Sequence, residues 1–492
     1  MMPGSKHRIS CTRLVLLLLS GLMLAGCTST PSESPNVVLI LADDLGMGDL
    51  GAYNPDSRIP TPSMDRLAKQ GIRLTDAHSP SAVCSPTRYG LLTGRYAWRT
   101  RMKSGVLWTD DPALIDSGRV TMASMLRDRG YATGGFGKWH LGLGRGERTD
   151  YADLSSGGPA EAGFDEYYGI PSSLDIPPYV WIREDRIDVP LSDSVEASSM
   201  RRSGGGGFWR AGRISGDFVF QDVLGITTDR AVSFIERHAA DSDQPFFVYV
   251  PLSAPHTPWL PDSSSLGASG AGFYGDFVVD VDRAIGRIVD AVDASGAADN
   301  TLVIVTSDNG AHWTEQDKAE WGHLANAAWR GQKADIWEAG HRVPFIARWP
   351  DRIAPNTHSS ETISLVDMMT TVAVISGISL ADSTAEDSWN VLPALLGEAE
   401  IERGPLVLHS LNGMFAVRDG DWKLIEGRGS GGFTAPSRME PGPGEPTGQL
   451  YNLALDPGEE SNVYTDYPEV VQRLTGLLDE IRTSGRSAPL IP

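Results

Sequence analysis

Two short polar pairs are the first residues in this chain whose types and spacing suggest chemistry. Asp43-Asp44 and Asp308-Asn309 each follow a continuous apolar run, Val37 to Leu41 and Leu302 to Thr306. Together they offer four side-chain oxygen donors. Such a set suits a hard cation, Ca²⁺ or Mg²⁺, without separating the two. A single Asp-Asp pair is usually a turn or helix cap, but two pairs at strand exits read as a metal site. Cys84 precedes Pro86 and Arg88, which places it in a turn entering a helix. A cation within reach lowers a thiol pKa and makes the Cys reactive; the ordinary alternative is an inert buried thiol. Lys138 and His140 stand at i and i+2, on one side of an extended segment. There a fixed charge and a proton carrier could reach one small anion, although an isolated pair of this kind is a common surface occurrence.

The elements that must position these residues are legible in the hydrophobic pattern. Val37 to Leu41, Phe246 to Val250 and Leu302 to Thr306 are apolar and rich in branched residues, the mark of strands buried on both faces in a parallel sheet. Each delivers polar residues at its carboxyl end, where open α/β sheets gather their functional groups. Helical patterns lie between them, at Met64 to Gln70, Met122 to Arg129, Thr228 to Ala239 and Asp280 to Val292. A basic, glycine-rich insertion, Arg201 to Arg213, reads as a surface loop. Beyond residue 375 the texture changes to short strands, Phe415 to Arg418 and Trp422 to Ile425, a Gly/Pro-rich loop, Gly427 to Gly448, and a terminal helix, Pro468 to Thr483. The expected fold class is α/β, with a catalytic domain over 36–375 and a smaller α+β domain over 376–492.

The N-terminus bears on the compartment. Lys6, His7, Arg8 and Arg13 precede an apolar run, Leu14 to Leu24, which is short of the roughly twenty residues a bilayer requires and reads as a signal-peptide core. Leu24-Ala25-Gly26-Cys27 resembles a bacterial lipobox, which implies a leader over 1–27 and lipid on Cys27; a plain cleavage at small residues is the alternative. Residues 28–35 (TSTPSESP) form a polar tether. Placement in a bacterial envelope membrane, outer membrane or periplasm, follows as an expectation, and no later apolar run is long enough to span a bilayer. Of three cysteines, Cys11 leaves with the leader, Cys27 carries the lipid, and Cys84 alone stays in the folded body. The formal net charge is −21. Such acidity argues against nucleic-acid binding, so a site for an anion has to be locally positive.

The segment Cys84-Ser85-Pro86-Thr87-Arg88-Tyr89-Gly90-Leu91-Leu92-Thr93-Gly94-Arg95 resembles the signature C-x-P-x-R-x-x-x-L-T-G-R of type I sulfatases at every fixed position. Gly137-Lys138-Trp139-His140-Leu141-Gly142 is similar to a second box of that family. His256, in Ala254-Pro255-His256-Thr257-Pro258, and Lys333, in Arg330-Gly331-Gln332-Lys333, resemble its substrate-contacting His and Lys. Trp337 to Pro344, Ala416 to Leu424, and Leu450 to Glu459 also look like family sequence, with Arg342 read as structural. Gly310-Ala311-His312-Trp313 departs from many relatives by its His, which places His312 near the substrate.

The resemblance implies an alkaline-phosphatase-like mixed sheet flanked by helices. It implies oxidation of Cys84 to formylglycine by a maturation enzyme, and a metal, most often Ca²⁺, on Asp43, Asp44, Asp308 and Asn309 beside position 84. Arg88, Lys138 and Lys333 then bind the sulfate, His256 or Lys333 protonates the departing oxygen, and His140 takes a proton as sulfate is expelled. The substrate expected is a sulfated carbohydrate, such as 6-sulfated galactose or N-acetylgalactosamine, with Asp175, Trp209, Arg210 and His312 as candidate contacts. The alternatives are an arylsulfatase, a phosphate or phosphonate monoester hydrolase of the same superfamily, and a catalytically silent polysaccharide-binding lipoprotein.

Overall fold

A computed structural model describes residues 34–198, 208–241, 243–398, 400–401 and 403–490, together with residues 1 and 4. The rest of the leader with Cys27, and residues 199–207, which take in 201–207 of the basic insertion, lie outside them. Residues from Ser34 onward form one compact unit. Among the described residues ten strands share its main sheet. In chain order they are β1 (Asn36–Asp43), β2 (Ile72–Leu74), β3 (Ala132–Lys138), β4 (Glu166–Ile170), β5 (Ile182–Arg183), β6 (Arg186–Ile187), β7 (Phe246–Pro255), β8 (Thr301–Ser307), β9 (Phe345–Arg348) and β10 (Thr357–Ser359). Across the sheet they run β10-β2-β9-β8-β1-β7-β3-β4-β5-β6. The inner run β8-β1-β7-β3-β4 is parallel, and antiparallel pairs at β8-β9 and β4-β5 make the sheet mixed.

The apolar run of β1 shows why this strand is central. Val37, Leu39 and Leu41 enter one core and Val38, Ile40 and Ala42 the other. Both faces are therefore covered, as an unbroken apolar run requires. Helices Val223–Ala239 and Gly272–Ala294 supply one core, and helices Cys84–Thr93, Met122–Asp128 and Met368–Ile375 the other. The four predicted helices are all present: three are longer than expected, Pro62–Gln70, Val223–Ala239 and Gly272–Ala294, and one ends a residue earlier, Met122–Asp128.

A second, antiparallel sheet joins β11 (Leu406–His409), β12 (Phe415–Asp419), β13 (Trp422–Ile425) and β14 (Gln449–Asn452) in sequence order. The terminal helix, Pro468–Ser484, lays Leu474, Leu478 and Ile481 against Val407, Val417, Leu424 and Leu450, the i, i+4, i+7 stripe of an amphipathic helix. The other face packs Leu406, Leu408, Ala416, Ile425 and Tyr451 against Ile336 and Trp337 of the main body. The smaller sheet is thus seated on the chain just after Lys333. Among the described residues no helix is long and apolar enough to cross a membrane.

Candidate active site

The parallel register brings the candidate residues to one level. Asp43 pairs with Pro255 and Ala42 with Ser307, so Asp43-Asp44, His256 and Asp308-Asn309 leave three adjacent strands side by side, with Lys138 at the end of β3. Helix Cys84–Thr93 starts beneath them, every one of its residues buried. Gly94 ends it in a left-handed conformation at φ 64°, its N–H on the Gly90 carbonyl. This explains the glycine of the signature, since a side chain is strained there. Gly310 has a different reason: a Cβ would lie 1.8 Å from the Ala339 carbonyl oxygen.

Cys84 Sγ is 3.6 Å from Asp43 Oδ1 and 3.7 Å from Lys333 Nζ. Lys138 Nζ donates to Asp43 Oδ2 at 2.6 Å. Arg88 donates to Asp308 Oδ2 through Nε and Nη2, at 3.1 and 2.7 Å, and to the Lys138 carbonyl. Lys333 Nζ lies 2.6 Å from Asp44 Oδ1, and Asn309 Nδ2 donates to that same oxygen at 2.7 Å. All of these side chains are buried or nearly so. Asp44, at φ 67°, holds the left-handed backbone conformation, a strain that functional sites often store.

Three carboxylates this close in a dry site repel one another. Burial raises the Asp43 carboxyl, yet Lys138, His256 and Arg88 together outweigh it and hold Asp43 well below its ordinary range. Burial and the neighbouring Asp43 charge push Asp308 up to about 6, against the pull of Arg88. Such crowding favours a bound cation. One ligand atom each from Asp43, Asp44, Cys84 and His256 lie within 4.8 Å of one another, and Asn309 Oδ1 is buried without a hydrogen-bond partner. Hard oxygen donors, one of them unsatisfied, fit a divalent metal.

The histidines have distinct surroundings. His140 Nε2 meets the Leu107 carbonyl at 2.9 Å, so Nε2 carries the hydrogen and Nδ1 the lone pair. Nδ1 is buried and unpartnered. Burial, then Lys138 and Arg88, hold the ring's pKa well below its ordinary value. His256 Nδ1 donates to the Thr257 carbonyl at 2.6 Å, leaving Nε2 3.8 Å from Asp44 Oδ2. Burial lowers the Lys333 ammonium, but Asp44 chiefly reverses this and keeps it protonated.

Two expectations change. The Cys84 thiol is not acidified: burial outweighs Lys138 and Lys333 and pushes it up to about 12. Lys138 and His140 are not on one extended segment either. The strand ends at Lys138 and His140 turns at φ 53°, so the two side chains approach from different directions.

A cavity of about 350 Å³ opens above Cys84. Its walls include His140, Asp175, Arg210, His256, His312 and Lys333. Arg210 Nη1 donates to Asp175 Oδ2 at 2.6 Å, and the His312 ring packs on Phe433 at 5.0 Å. Trp209 does not line it. Its ring stacks on Phe220 and its Nε1 donates to the Glu196 carbonyl, while its neighbour Phe208 turns inward. Reading the sequence missed Phe208, Trp108 and Phe433. A second buried cluster, His78, Glu338 and His341, already holds cations: Arg342 and Lys423 reach Glu338 at 2.9 and 3.0 Å, and Arg418 reaches Asp76 at 2.7 Å. It ties the smaller sheet to the main body, in keeping with a structural Arg342.

The family model described as Sulfatase matches residues 35–378. An N-acetylgalactosamine-6-O-sulfatase of Bacteroides thetaiotaomicron is 35% identical over 96% of this chain and 99% of its own. Human arylsulfatase A is 33% identical over 94% of this chain and 89% of its own. A solved structure from work on glycosaminoglycan metabolism by Bacteroides thetaiotaomicron superposes with a TM-score of 0.82 at 34% identity, covering 92% of this chain and all of the other. A sulfatase from a Pseudoalteromonas species superposes at 0.74 with 25% identity, over 93% and 92% of the two chains.

Proposed function

Because the chain belongs to the sulfatase family and is a sulfuric ester hydrolase, we propose that it removes sulfate from a sulfated carbohydrate, 6-O-sulfated N-acetylgalactosamine or galactose, at a nucleophile derived from Cys84. The observation that carries this reading is the cavity itself. It has Cys84 at its floor, a protonated Lys333 3.7 Å from Sγ, and a wall of hydrogen-bonding groups, Ser173, Asp175 and Thr257 among them, suited to sugar hydroxyls.

Each residue then has a physical role. Arg88, Lys138 and Lys333 offset the carboxylates of Asp308, Asp43 and Asp44, so that a bound cation would make the floor positive, and their charge-assisted hydrogen bonds hold the sulfate. Preorganised donors of this kind are worth about 3 kcal/mol each in the transition state. Lys333, kept protonated, and His256, whose Nε2 faces the centre, are placed to give a proton to the leaving sugar oxygen. His140, neutral with a free Nδ1, is placed to accept one. Formylglycine at position 84, installed by a maturation enzyme, would present as its hydrate the hydroxyl that attacks sulfur, and His140 would take the proton of the second hydroxyl as sulfate leaves. Asp43, Asp44, Asp308 and Asn309 would hold a divalent cation, Ca²⁺ in preference to Mg²⁺, whose charge would offset the repulsion between that hydroxyl and the sulfate. The lipobox at Cys27 and the tether after it support anchoring to a bacterial envelope membrane.

The test is release of sulfate from defined 6-sulfated galactose and N-acetylgalactosamine, with 2- and 4-sulfated isomers, aryl sulfate and aryl phosphate in parallel. Turnover highest on a 6-sulfated sugar supports the reading. Turnover highest on aryl phosphate, or on no sulfated sugar, overturns it.

A further inference from the structure

Two large rings stand half-exposed at the reaction cavity. Trp108 is 52% and Phe433 46% exposed, and both line the space above Cys84. Neither has a place in the sulfate chemistry. Exposed aromatic area is unfavourable in water, and a freely mobile side chain would turn it against the protein.

Each ring instead has a neighbour on the cavity wall, the Arg210 guanidinium 5.2 Å from the Trp108 centroid and the His312 ring 5.0 Å from that of Phe433, and the backbone beside each ring is anchored. The Trp108 N–H donates to Asp111 Oδ2 at 2.6 Å. The preceding residue, Leu107, is tied twice: its N–H donates to Ser85 Oγ at 3.1 Å and its carbonyl accepts from His140 Nε2 at 2.9 Å. Trp108 is therefore one residue from a peptide hooked to both the Cys84 helix and His140. Phe433 is mounted in the same manner from the smaller sheet. Thr434 donates through N and Oγ1 to the Asp335 carboxylate at 3.0 and 2.5 Å, two residues from Lys333. Gly432 lies so close to the Lys333 segment that a Cβ would fall 2.2 Å from the Ala334 carbonyl oxygen.

The cavity, about 350 Å³, is at the low end of the ~300–1,000 Å³ of small-molecule pockets. It has room for one sulfated ring and not for a chain. Any further sugar must leave through the mouth, where these rings stand. A pyranose offers an apolar C–H face to an aromatic ring while its hydroxyls stay in water. We propose that Trp108 and Phe433 form a stacking subsite for the sugar next to the sulfated one, which makes short oligosaccharides better substrates than the free sulfated monosaccharide. This rests on the carbohydrate reading above.

The experiment compares a 6-sulfated monosaccharide with a di- and a tetrasaccharide carrying it at the chain end, in wild type, Trp108→Ala, Phe433→Ala and Trp108→Phe. The expected result is a rise of about three- to tenfold in the oligosaccharide-to-monosaccharide KM ratio for each alanine variant, largely reversed in Trp108→Phe because a ring is kept. An unchanged ratio in both alanine variants, with folding verified by circular dichroism, overturns the subsite. If Trp108→Ala does not fold, Phe433→Ala decides alone. A wild-type enzyme that cleaves no sulfated sugar overturns the carbohydrate reading itself, a failure seen before any ratio is formed.

Discussion

His140 gives its Nε2 hydrogen to the carbonyl of Leu107, 2.9 Å away, and that bond fixes which nitrogen of the ring is free. Nδ1 is left buried with its lone pair unused. The ring's lowered pKa, caused by burial and by Lys138 and Arg88, keeps it neutral below pH 6.5. We expect the acid limb of kcat assigned to this base to fall well below that value. His140→Ala should lower kcat about 10²- to 10⁴-fold with a smaller change in KM. An acid limb centred at 6.5 or above would remove His140 as the base.

The nucleophile can be tested separately from folding. Cys84→Ala removes one buried sulfur at a helix start and should cost only about 1–2 kcal/mol of stability, yet abolish turnover by on the order of 10⁴-fold or more. Tryptic mass spectrometry of active wild-type protein should show residue 84 altered. Full activity in the alanine variant would end the proposed chemistry.

Metal removal should act on both activity and stability. The crowding that raises Asp308 to about 6 is relieved by a cation that binds only the folded site. Dialysis against a chelator should lower Tm and activity together, and Ca²⁺ should restore both. Elemental analysis of active, purified protein finding no divalent metal would contradict the assignment.

The buried cluster between the two sheets makes stability depend on pH. His78 Nδ1 and His341 Nδ1 are 3.0 Å apart, with His78 Nε2 on Asp76 and His341 Nε2 facing Lys423 Nζ at 3.0 Å. This chain of bonds is complete when both rings are neutral. Burial chiefly lowers both pKa values, with Lys423 adding to the effect at His341. The unfolded chain then binds more protons than the folded one below pH 6.5. The pair's contribution is fully present above that value and is lost as pH falls toward the folded values. Tm of metal-saturated protein should drop between pH 7 and pH 5. Lys423→Met leaves Arg342 on Glu338 but takes the ion-pair partner from the buried Glu459 carboxylate, and should cost about 3–5 kcal/mol in denaturant titrations.

Much of this was legible in the sequence for identifiable reasons. β1, β7 and β8 are apolar on both faces, so their runs are unbroken and their exits easy to find. The candidate site residues lie in motifs of fixed residue type at fixed spacing. The subsite rings left no such trace. Leu107 meets Ser85 and His140 through its backbone, which any residue could provide, so nothing in the sequence marks Trp108. Phe433 comes from the smaller sheet's loop and is held at the cavity by tertiary contacts such as Asp335–Thr434 and Ile336–Ser430, which the sequence does not display. The thiol was misjudged because a nearby arginine is visible in sequence while complete burial is not.

That burial sets a clock on the protein's own making. All ten residues from Cys84 to Thr93 are enclosed, and Sγ meets solvent only down a cavity sized for a sugar. A sulfate ester can follow that path; the active site of a second protein cannot. The conversion of Cys84 that the proposed reaction requires must therefore happen while the segment is still an open chain. A molecule that folds first is sealed in the thiol form for as long as it stays folded. The specific activity of any preparation then records the outcome of a race between modification and folding, and refolding an inactive batch alone gains nothing.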